Sequence, residues 1–146
     1  MIALACDHGG FRLMQEVKEY LNEQGLPYKD FGVDSDESCD YPAIAYPAAK
    51  AIADGECGKG IFICGTGIGI SIAANKVRGI RAAVCGDTFS AEMTRRHNDA
   101  NVLAIGARVT GPGLALKIIE IFLKTEFESG RHARRVELIS ELEARW

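Results

Sequence analysis

A cysteine followed directly by a glycine-rich turn is the first place where this sequence could do chemistry. Cys64 ends an apolar run, and Gly65-Thr66-Gly67-Ile68-Gly69 follows it. Glycine lets a ligand approach the backbone closely, and amides at a helix N-terminus form a site for anions. The same position favours the thiolate form of a cysteine. A thiolate base beside amides that hold an oxyanion is what proton abstraction next to a carbonyl requires.

Other interpretations of this turn stay open. A tight strand-to-helix turn needs no ligand, and Cys64 could be an ordinary buried thiol. The dinucleotide fingerprint GxGxxG is not met, because its third glycine position falls on Ile70 or Ile72. Asp87 nevertheless follows the next strand, roughly where a ribose-binding acid would lie. A nucleotide- or phosphometabolite-binding module without catalysis is therefore the second hypothesis.

The number and spacing of the cysteines limit what sulfur chemistry is expected. The count is odd and no CxxC pair occurs, which argues against a disulfide framework or a zinc knuckle. The five cysteines make a thiol redox protein a third hypothesis. It is the weakest of the three because the chain lacks a CxxC pair. Most of these residues are expected to be buried, reduced thiols: Cys6, Cys39, Cys57, Cys64 and Cys85.

All three histidines lie in polar, charged sequence contexts. Asp7-His8-Gly9-Gly10 follows the first strand, His97-Asn98-Asp99 follows a helix, and His132 lies near the C-terminus. Each could be a structural histidine with satisfied hydrogen bonds. The two Asp/His groups could also bind a metal, but they lack the spacing of known local metal motifs. We therefore expect no metal.

Two arginines near the C-terminus suggest an anion site. Arg131 and Arg135 share one helical face at the start of a predicted helix, where the helix dipole disfavours cations. A bound phosphate would resolve this conflict, because guanidinium groups and helix amides both suit it. The alternative is a solvated basic face, paired with Glu126, Glu128 and Glu137.

Composition restricts the class of protein. The chain has 146 residues with 47% apolar and 25% charged residues and a net charge of −3, which fits one folded domain over residues 1–146. This balance argues against a nucleic-acid partner. The apolar N-terminus is short and lacks a basic region, and no stretch is long enough to span a bilayer. We expect a cytoplasmic protein with no membrane partner.

Short apolar runs alternate with segments of helical period, which predicts an α/β fold. Regular alternation indicates three α/β/α layers around a mostly parallel, five-stranded sheet. Ligands in such sheets bind beyond the carboxyl ends of the strands. The predicted strands are Ile2 to Cys6, Leu26 to Phe31, Gly60 to Cys64, Arg81 to Cys85 and Val102 to Ile105.

The predicted helices complete each unit and leave one extra at the C-terminus. Residues 131–146 carry an apolar stripe of Val136, Ile139 and Leu142. This helix could pack on its own domain or on a partner subunit. The other helices are predicted from Phe11 to the stop at Gly25, from Asp40 or Pro47 onward, and over Gly67 to Lys76, Thr88 to Arg96 and Leu114 to Thr125.

Five motifs occur in order along essentially the whole chain. They are Asp7-His8-Gly9-Gly10, Cys64-Gly65-Thr66-Gly67-Ile68-Gly69, Asn75-Lys76, His97-Asn98-Asp99-Ala100-Asn101-Val102-Leu103 and Gly130-Arg131-His132-x-x-Arg135-Val136. Together they resemble type B ribose-5-phosphate isomerase, a family grouped with galactose-6-phosphate isomerase subunits and allose-6-phosphate isomerase. Each motif is modest alone, but all five in register are specific.

The resemblance implies a Rossmann-like enzyme of the pentose phosphate pathway that interconverts ribose 5-phosphate and ribulose 5-phosphate through an enediolate. It implies no metal or organic cofactor, and a homodimer, or a dimer of dimers, with the site shared between subunits. Some members use a glutamate base instead of the cysteine, and the sequence leaves open whether a five- or six-carbon sugar phosphate is preferred.

The resemblance also implies roles for individual residues. Cys64 would be the base, the amides of Gly65 to Gly69 and Thr66 would stabilise the enediolate, and His97, with Asp7 nearby, would open the furanose ring. The substrate hydroxyls and phosphate would be held by His8, Asn98, Arg108, Arg131 and Arg135.

Overall fold

Strands and helices alternate along all 146 residues of the chain in this computed structural model. The strands are β1 (Ile2–Cys6), β2 (Tyr28–Asp30), β3 (Lys59–Cys64), β4 (Ala82–Val84) and β5 (Val102–Gly106). The helices are α1 (Phe11–Glu23), α2 (Tyr41–Ala53), α3 (Ile68–Ala74), α4 (Thr88–Asn98), α5 (Pro112–Lys124) and α6 (Arg131–Glu143).

The five strands form one sheet in the order β2-β1-β3-β5-β4, and every pairing is parallel. The predicted α/β class and strand count are confirmed, and the sheet is fully rather than mostly parallel. From β1 the chain adds β2 on one side of the sheet and β3 on the other. The crevice beyond the carboxyl ends of β1 and β3, where the strand order reverses, is therefore the expected ligand site.

The three central strands are buried on both faces because helices cover the sheet from two sides. β1 and β5 are buried throughout, which explains their continuous apolar runs. One core packs the sheet against α1, α4 and α5, and the other packs it against α2 and α3. The predicted three-layer arrangement is therefore confirmed.

Element boundaries differ from the prediction where local signals compete with packing. The edge strands β2 and β4 are only three residues long, since each pairs on one side only. Helix α2 begins after Asp40 and continues through Pro47. The stop at Gly25 is confirmed, because this residue has φ 65° just beyond α1.

The extra helix α6 packs against its own chain and still exposes apolar surface. It contacts α4, the Glu143 carboxylate accepts from the Gly79 amide, and Arg78 donates to the Trp146 carbonyl over 2.7 Å. Leu142 and Trp146 nevertheless remain 58% and 64% exposed. No helix combines the length and apolar composition needed to cross a bilayer.

Candidate active site

A cleft of about 980 Å³ opens at the carboxyl ends of β1, β3 and β5, where the reversal of strand order predicts it. The cleft collects the predicted Asp7, His8, Cys64 and Arg108 together with the glycine turn. Its lining residues are Asp7, His8, Cys39, Asp40, Tyr41, Pro42, Ala43, Cys64, Gly65, Thr66, Ile68, Gly69 and Arg108.

Cys64 is the last residue of β3, and its thiol lies against the glycine turn. The Gly67 amide donates to Cys64 Sγ over 3.1 Å, and the residue is only 5% exposed. The side chain is therefore held in one place by the turn that follows it.

The glycine turn is locked against the loop that follows β5. Gly67 has φ 79°, and a Cβ there would lie 2.9 Å from the backbone carbon of Ile105. A Cβ on Gly106 would lie 2.6 Å from the backbone of Thr66, and the Arg108 amide donates to the Gly65 carbonyl over 3.0 Å. Both glycines are therefore needed for the close approach of two backbones.

The turn leaves backbone donors available beside the thiol. The amides of Gly65 and Thr66 donate no hydrogen bond within the chain, whereas the Ile68 amide donates to Thr66 Oγ1 over 3.3 Å. The Thr66 hydroxyl accepts this bond and keeps its own proton free to donate. Two amides and a hydroxyl near Cys64 are thus available to an anionic ligand.

Asp7 and His8 enter the cleft from the end of β1. Asp7 is 6% exposed, and its Oδ1 accepts from the amides of Gly9 over 2.9 Å and Gly10 over 3.2 Å. His8 Nδ1 accepts from the Cys39 amide over 3.3 Å. In the neutral imidazole the proton then lies on Nε2, which is free to donate to a ligand.

Five lining residues were not predicted as site residues: Cys39, Asp40, Tyr41, Pro42 and Ala43. Asp40-Tyr41 indicated only the start of a helix. The signal for Tyr41 is Gly69, where a Cβ would lie 2.6 Å from the Tyr41 ring. The third glycine of the turn therefore makes room for an aromatic wall of the cleft.

The remaining predicted site residues do not line this cleft. His97 and Asn98 end α4, and Arg131 and Arg135 lie on the first two turns of α6. Because α4 ends only three residues before β5 starts, His97 lies towards the amino ends of the strands, whereas Cys64 lies at their carboxyl ends. The predicted proximity of Asp7 to His97 is therefore not found within one chain.

His97 belongs to a second cluster that also contains Glu128 and His132. The two imidazole rings stack with centroids 4.1 Å apart, and each Nε2 lies 3.5 Å from Glu128 Oε2. His132 is buried at 7% exposure, although its sequence context is polar and charged. Burial lowers the pKa of His132, and the adjacent His97 and Arg131 lower this pKa further.

The arginines predicted to bind an anion have no acidic partner in the chain. Arg131 and Arg135 are both exposed, and neither forms an ion pair. The alternative of a basic face paired with Glu126, Glu128 and Glu137 is therefore not seen. Arg108 in the cleft is likewise exposed and without an ion pair.

Asp87 and the two cysteines Cys6 and Cys85 lie outside the lining of the cleft. Asp87 caps α4, since its carboxylate accepts from the Ser90 amide over 2.7 Å and from the Ser90 hydroxyl over 2.8 Å, and these bonds lower its pKa. Both carboxylate oxygens are thus used, which weakens the case for a ribose-binding acid. Burial raises the pKa of Cys6 and Cys85 to about 11, and neither lines the cleft.

Comparison with known proteins places the chain in a family. The model of a family described as ribose/galactose isomerase matches residues 2–139. The chain is 51% identical over 144 residues to ribose-5-phosphate isomerase B of Escherichia coli, which covers 99% of this chain and 97% of that protein. It is 48% identical over 143 residues to D-erythrulose-4-phosphate isomerase of Pectobacterium atrosepticum, with 97% and 94% covered.

A solved structure agrees with this assignment. Ribose-5-phosphate isomerase B of Clostridium thermocellum superposes with a TM-score of 0.97 at 53% identity, covering 99% of this chain and 97% of that one. The chain therefore belongs to the ribose/galactose isomerase family. It is an enzyme of the sugar-phosphate isomerase class, and the resemblance to type B ribose-5-phosphate isomerase is confirmed.

Proposed function

We propose that this enzyme interconverts D-ribose 5-phosphate and D-ribulose 5-phosphate, with Cys64 as the base. The observation that carries the proposal is the Cys64 thiol, fixed by the Gly67 amide at 3.1 Å in a cleft with free backbone donors. The relative from Escherichia coli, named ribose-5-phosphate isomerase B, supports this substrate. The reaction belongs to the pentose phosphate pathway, as the resemblance implies.

The proposed chemistry is a proton transfer between two carbons of the open-chain sugar. The Cys64 thiolate removes the proton from C2 of the aldose, and the electron pair moves to the C1 carbonyl oxygen to give an enediolate. The thiol returns the proton to C1, while the O2 hydroxyl proton passes to O1. The amides of Gly65 and Thr66 stabilise the enediolate, and one such donor is typically worth roughly 10²–10³ in rate.

We assign furanose ring opening to His97. We assign substrate binding to two groups of residues, those that line the Cys64 cleft and those near His97. Arg131 and Arg135 hold the phosphate at the N-terminus of α6, while His8, Asn98 and Arg108 hold hydroxyls or phosphate oxygens. Binding energy from the phosphate then orients C1 and C2 against the thiolate. These roles rest on the resemblance and on the unpaired state of the arginines.

A homodimer brings the two groups together in this proposal. Within one chain the Cys64 cleft and the His97 cluster lie towards opposite ends of the strands. Ile68 and Ile72 next to the cleft are 54% and 56% exposed, which suits contact with a second subunit. In a two-fold dimer each cleft receives the His97, Arg131 and Arg135 of the partner.

Proton exchange with solvent tests the role of the thiol. Cys64→Ala is expected to abolish exchange of the C2 proton of ribose 5-phosphate while substrate binding by calorimetry persists. Cys57→Ala is a matched control, because Cys57 is buried away from the cleft. Full activity of Cys64→Ala would refute the thiol base, and tight nucleotide binding without turnover would favour the non-catalytic module instead.

The relative named D-erythrulose-4-phosphate isomerase favours a second candidate substrate with four carbons. Sugar phosphates of four, five and six carbons differ by one CHOH unit each. The ratio of kcat/KM on erythrulose 4-phosphate, ribose 5-phosphate and allose 6-phosphate decides between them. We expect the highest value for ribose 5-phosphate, without added metal and in the presence of a chelator.

A further inference from the structure

The cluster of His97, Glu128 and His132 holds three metal-ligating atoms close together. The two Nε2 atoms each lie 3.5 Å from Glu128 Oε2, and all three ligand atoms lie within 4.8 Å of one another. We propose that these residues bind a divalent transition-metal ion such as Zn²⁺ or Co²⁺, and that the bound ion inhibits the isomerase reversibly. The ion is an inhibitor here and supplies nothing to the reaction.

The residue types suit such an ion. Two imidazoles and one carboxylate form a common three-residue set for zinc, with a fourth position left for water. With Zn–N bonds of about 2.0–2.1 Å, ligand atoms around a tetrahedral ion lie roughly 3.3 Å apart. The 3.5 Å separations to Glu128 already approach this spacing, so only the distance between the two imidazole nitrogens must shorten.

The backbone holds the cluster in place. The Glu128 amide donates to the Arg96 carbonyl over 3.1 Å, which ties the segment before α6 to the residue preceding His97. His132 follows Glu128 by four residues, and its amide donates to the Ser129 carbonyl over 3.1 Å. The three ligands thus come from two packed elements whose relative positions are fixed.

One imidazole must turn for the ion to enter. The rings are nearly parallel, with an interplanar angle of 11°, and an ion in the plane of one ring lies outside the plane of the other. His132 is confined, since its side chain is 9% exposed, but the His97 side chain is 39% exposed and free to rotate. We therefore expect His97 to move onto an ion held first by Glu128 and His132.

Nearby positive charge limits the affinity. Arg96 Nη1 lies 3.5 Å from Glu128 Oε1, and Arg131 flanks His132 along the chain. Cationic neighbours oppose binding of a divalent ion at short range. The site is therefore expected to be filled by added metal and emptied by a chelator.

Inhibition follows from the role assigned to His97, so this part rests on the proposed function. An imidazole nitrogen that is coordinated to a metal can no longer donate or accept the proton needed for ring opening. Added Zn²⁺ is expected to lower kcat on ribose 5-phosphate, and a chelator is expected to restore it.

Titration with Co²⁺ tests binding without reference to activity. The full-length protein is expected to show visible d–d absorption of one nitrogen- and oxygen-bound ion, without the charge-transfer band of a cobalt–thiolate bond. Glu128→Gln and His132→Asn should each weaken binding by at least the roughly 10- to 100-fold that loss of a supporting partner costs. Glu126→Gln, an exposed neighbour of the same charge, is the matched control and should bind normally.

The two arms distinguish failure of this proposal from failure of the proposed function. Equal Co²⁺ affinity in wild type and Glu128→Gln, a substitution at an exposed position, would overturn the site. A thiolate charge-transfer band that disappears in Cys64→Ser would assign the metal to the cleft instead and also overturn it. If the protein binds Co²⁺ as expected but does not turn over ribose 5-phosphate, the site stands and the proposed function falls.

Discussion

The cleft around Cys64 and the cluster around His97 are held in place by different parts of the fold. Strand ends position the cleft residues, and two loops lock together through the missing side chains of Gly67 and Gly106. The end of α4 and the start of α6 position the cluster residues, and Arg131 and Arg135 there remain without partners. The first group is gathered in a cleft of one chain, whereas the second leaves two exposed arginines without an ion pair.

This difference indicates how substitutions in each half of the proposed site are expected to act. The cleft depends on backbone geometry, so substitutions there affect the folded state as well as the chemistry. The cluster depends on long side chains at helix ends, so substitutions there are expected to affect binding with little loss of stability. Experiments that separate the two halves therefore test the shared-site proposal directly.

Mixing two inactive variants gives the largest expected effect. Cys64→Ala and His97→Ala should each lose roughly 10²–10⁴-fold in kcat/KM, since each removes an acid–base group. Subunit exchange between them produces dimers in which one site has both groups intact. With random pairing, activity should return to about a quarter of the wild-type value, because half the dimers carry one intact site.

The control is a mixture of each variant with an unrelated batch of itself. No recovery in the mixed sample, after exchange has been verified by native mass spectrometry, would mean that both residues act within the same subunit.

Alkylation of the cysteines compares the cleft with the core. The pKa of Cys6 and Cys85 is about 11, so their thiolates accumulate only as the pH approaches that value. At pH 8 their reaction with iodoacetamide should be about 100-fold slower than that of an ordinary thiol, because thiolate is the nucleophile. Peptide mass spectrometry should show modification at the cleft residues Cys39 and Cys64 first, with protection by a sugar phosphate. Early modification of Cys6 would contradict this order.

The residues of the cleft could be predicted from the sequence better than the residues near His97. Asp7 and Arg108 follow strands and Cys64 ends one. In a parallel sheet all carboxyl ends meet at one edge, so the proximity of these three residues was predictable. Strand cores such as β1 and β5 were also predictable, because continuous apolar runs are typical of strands buried on both faces.

Side chains at helix ends were not predictable in this way. Nothing in the local sequence indicates that His132 stacks on His97, because that contact depends on how α6 packs against α4. Tyr41 was missed because its approach to the cleft is specified by the absence of a side chain at Gly69. In the proposed dimer the two halves meet only through a second chain, for which the sequence offered an amphipathic helix and a family resemblance.

Removing Arg131, which lies beside the His97 cluster, is expected to have a smaller effect on activity, confined to substrate binding. Arg131→Ala should raise KM for ribose 5-phosphate by roughly 10- to 100-fold, since a charge-assisted hydrogen bond contributes about 1.5–3 kcal/mol. The thermal midpoint should change little, because Arg131 is exposed and unpaired. Arg134→Ala, on the same helix, is the control and should leave KM within about twofold. Equal losses for both variants would indicate a general charge effect instead of a phosphate contact.

The smallest effect concerns the loop contact that shapes the cleft. Gly67→Ala places a Cβ 2.9 Å from the Ile105 backbone at φ 79°, whereas Gly79→Ala has a similar φ of 83° with no atom within 4 Å. The Gly79 variant therefore measures the cost of the φ angle alone, about 1 kcal/mol. Gly67→Ala should lose a further ~1–3 kcal/mol of unfolding free energy in urea, because two locked backbones must separate. Equal destabilisation of the two variants would show that the turn yields without strain, and the cleft would then owe its shape to something other than this contact.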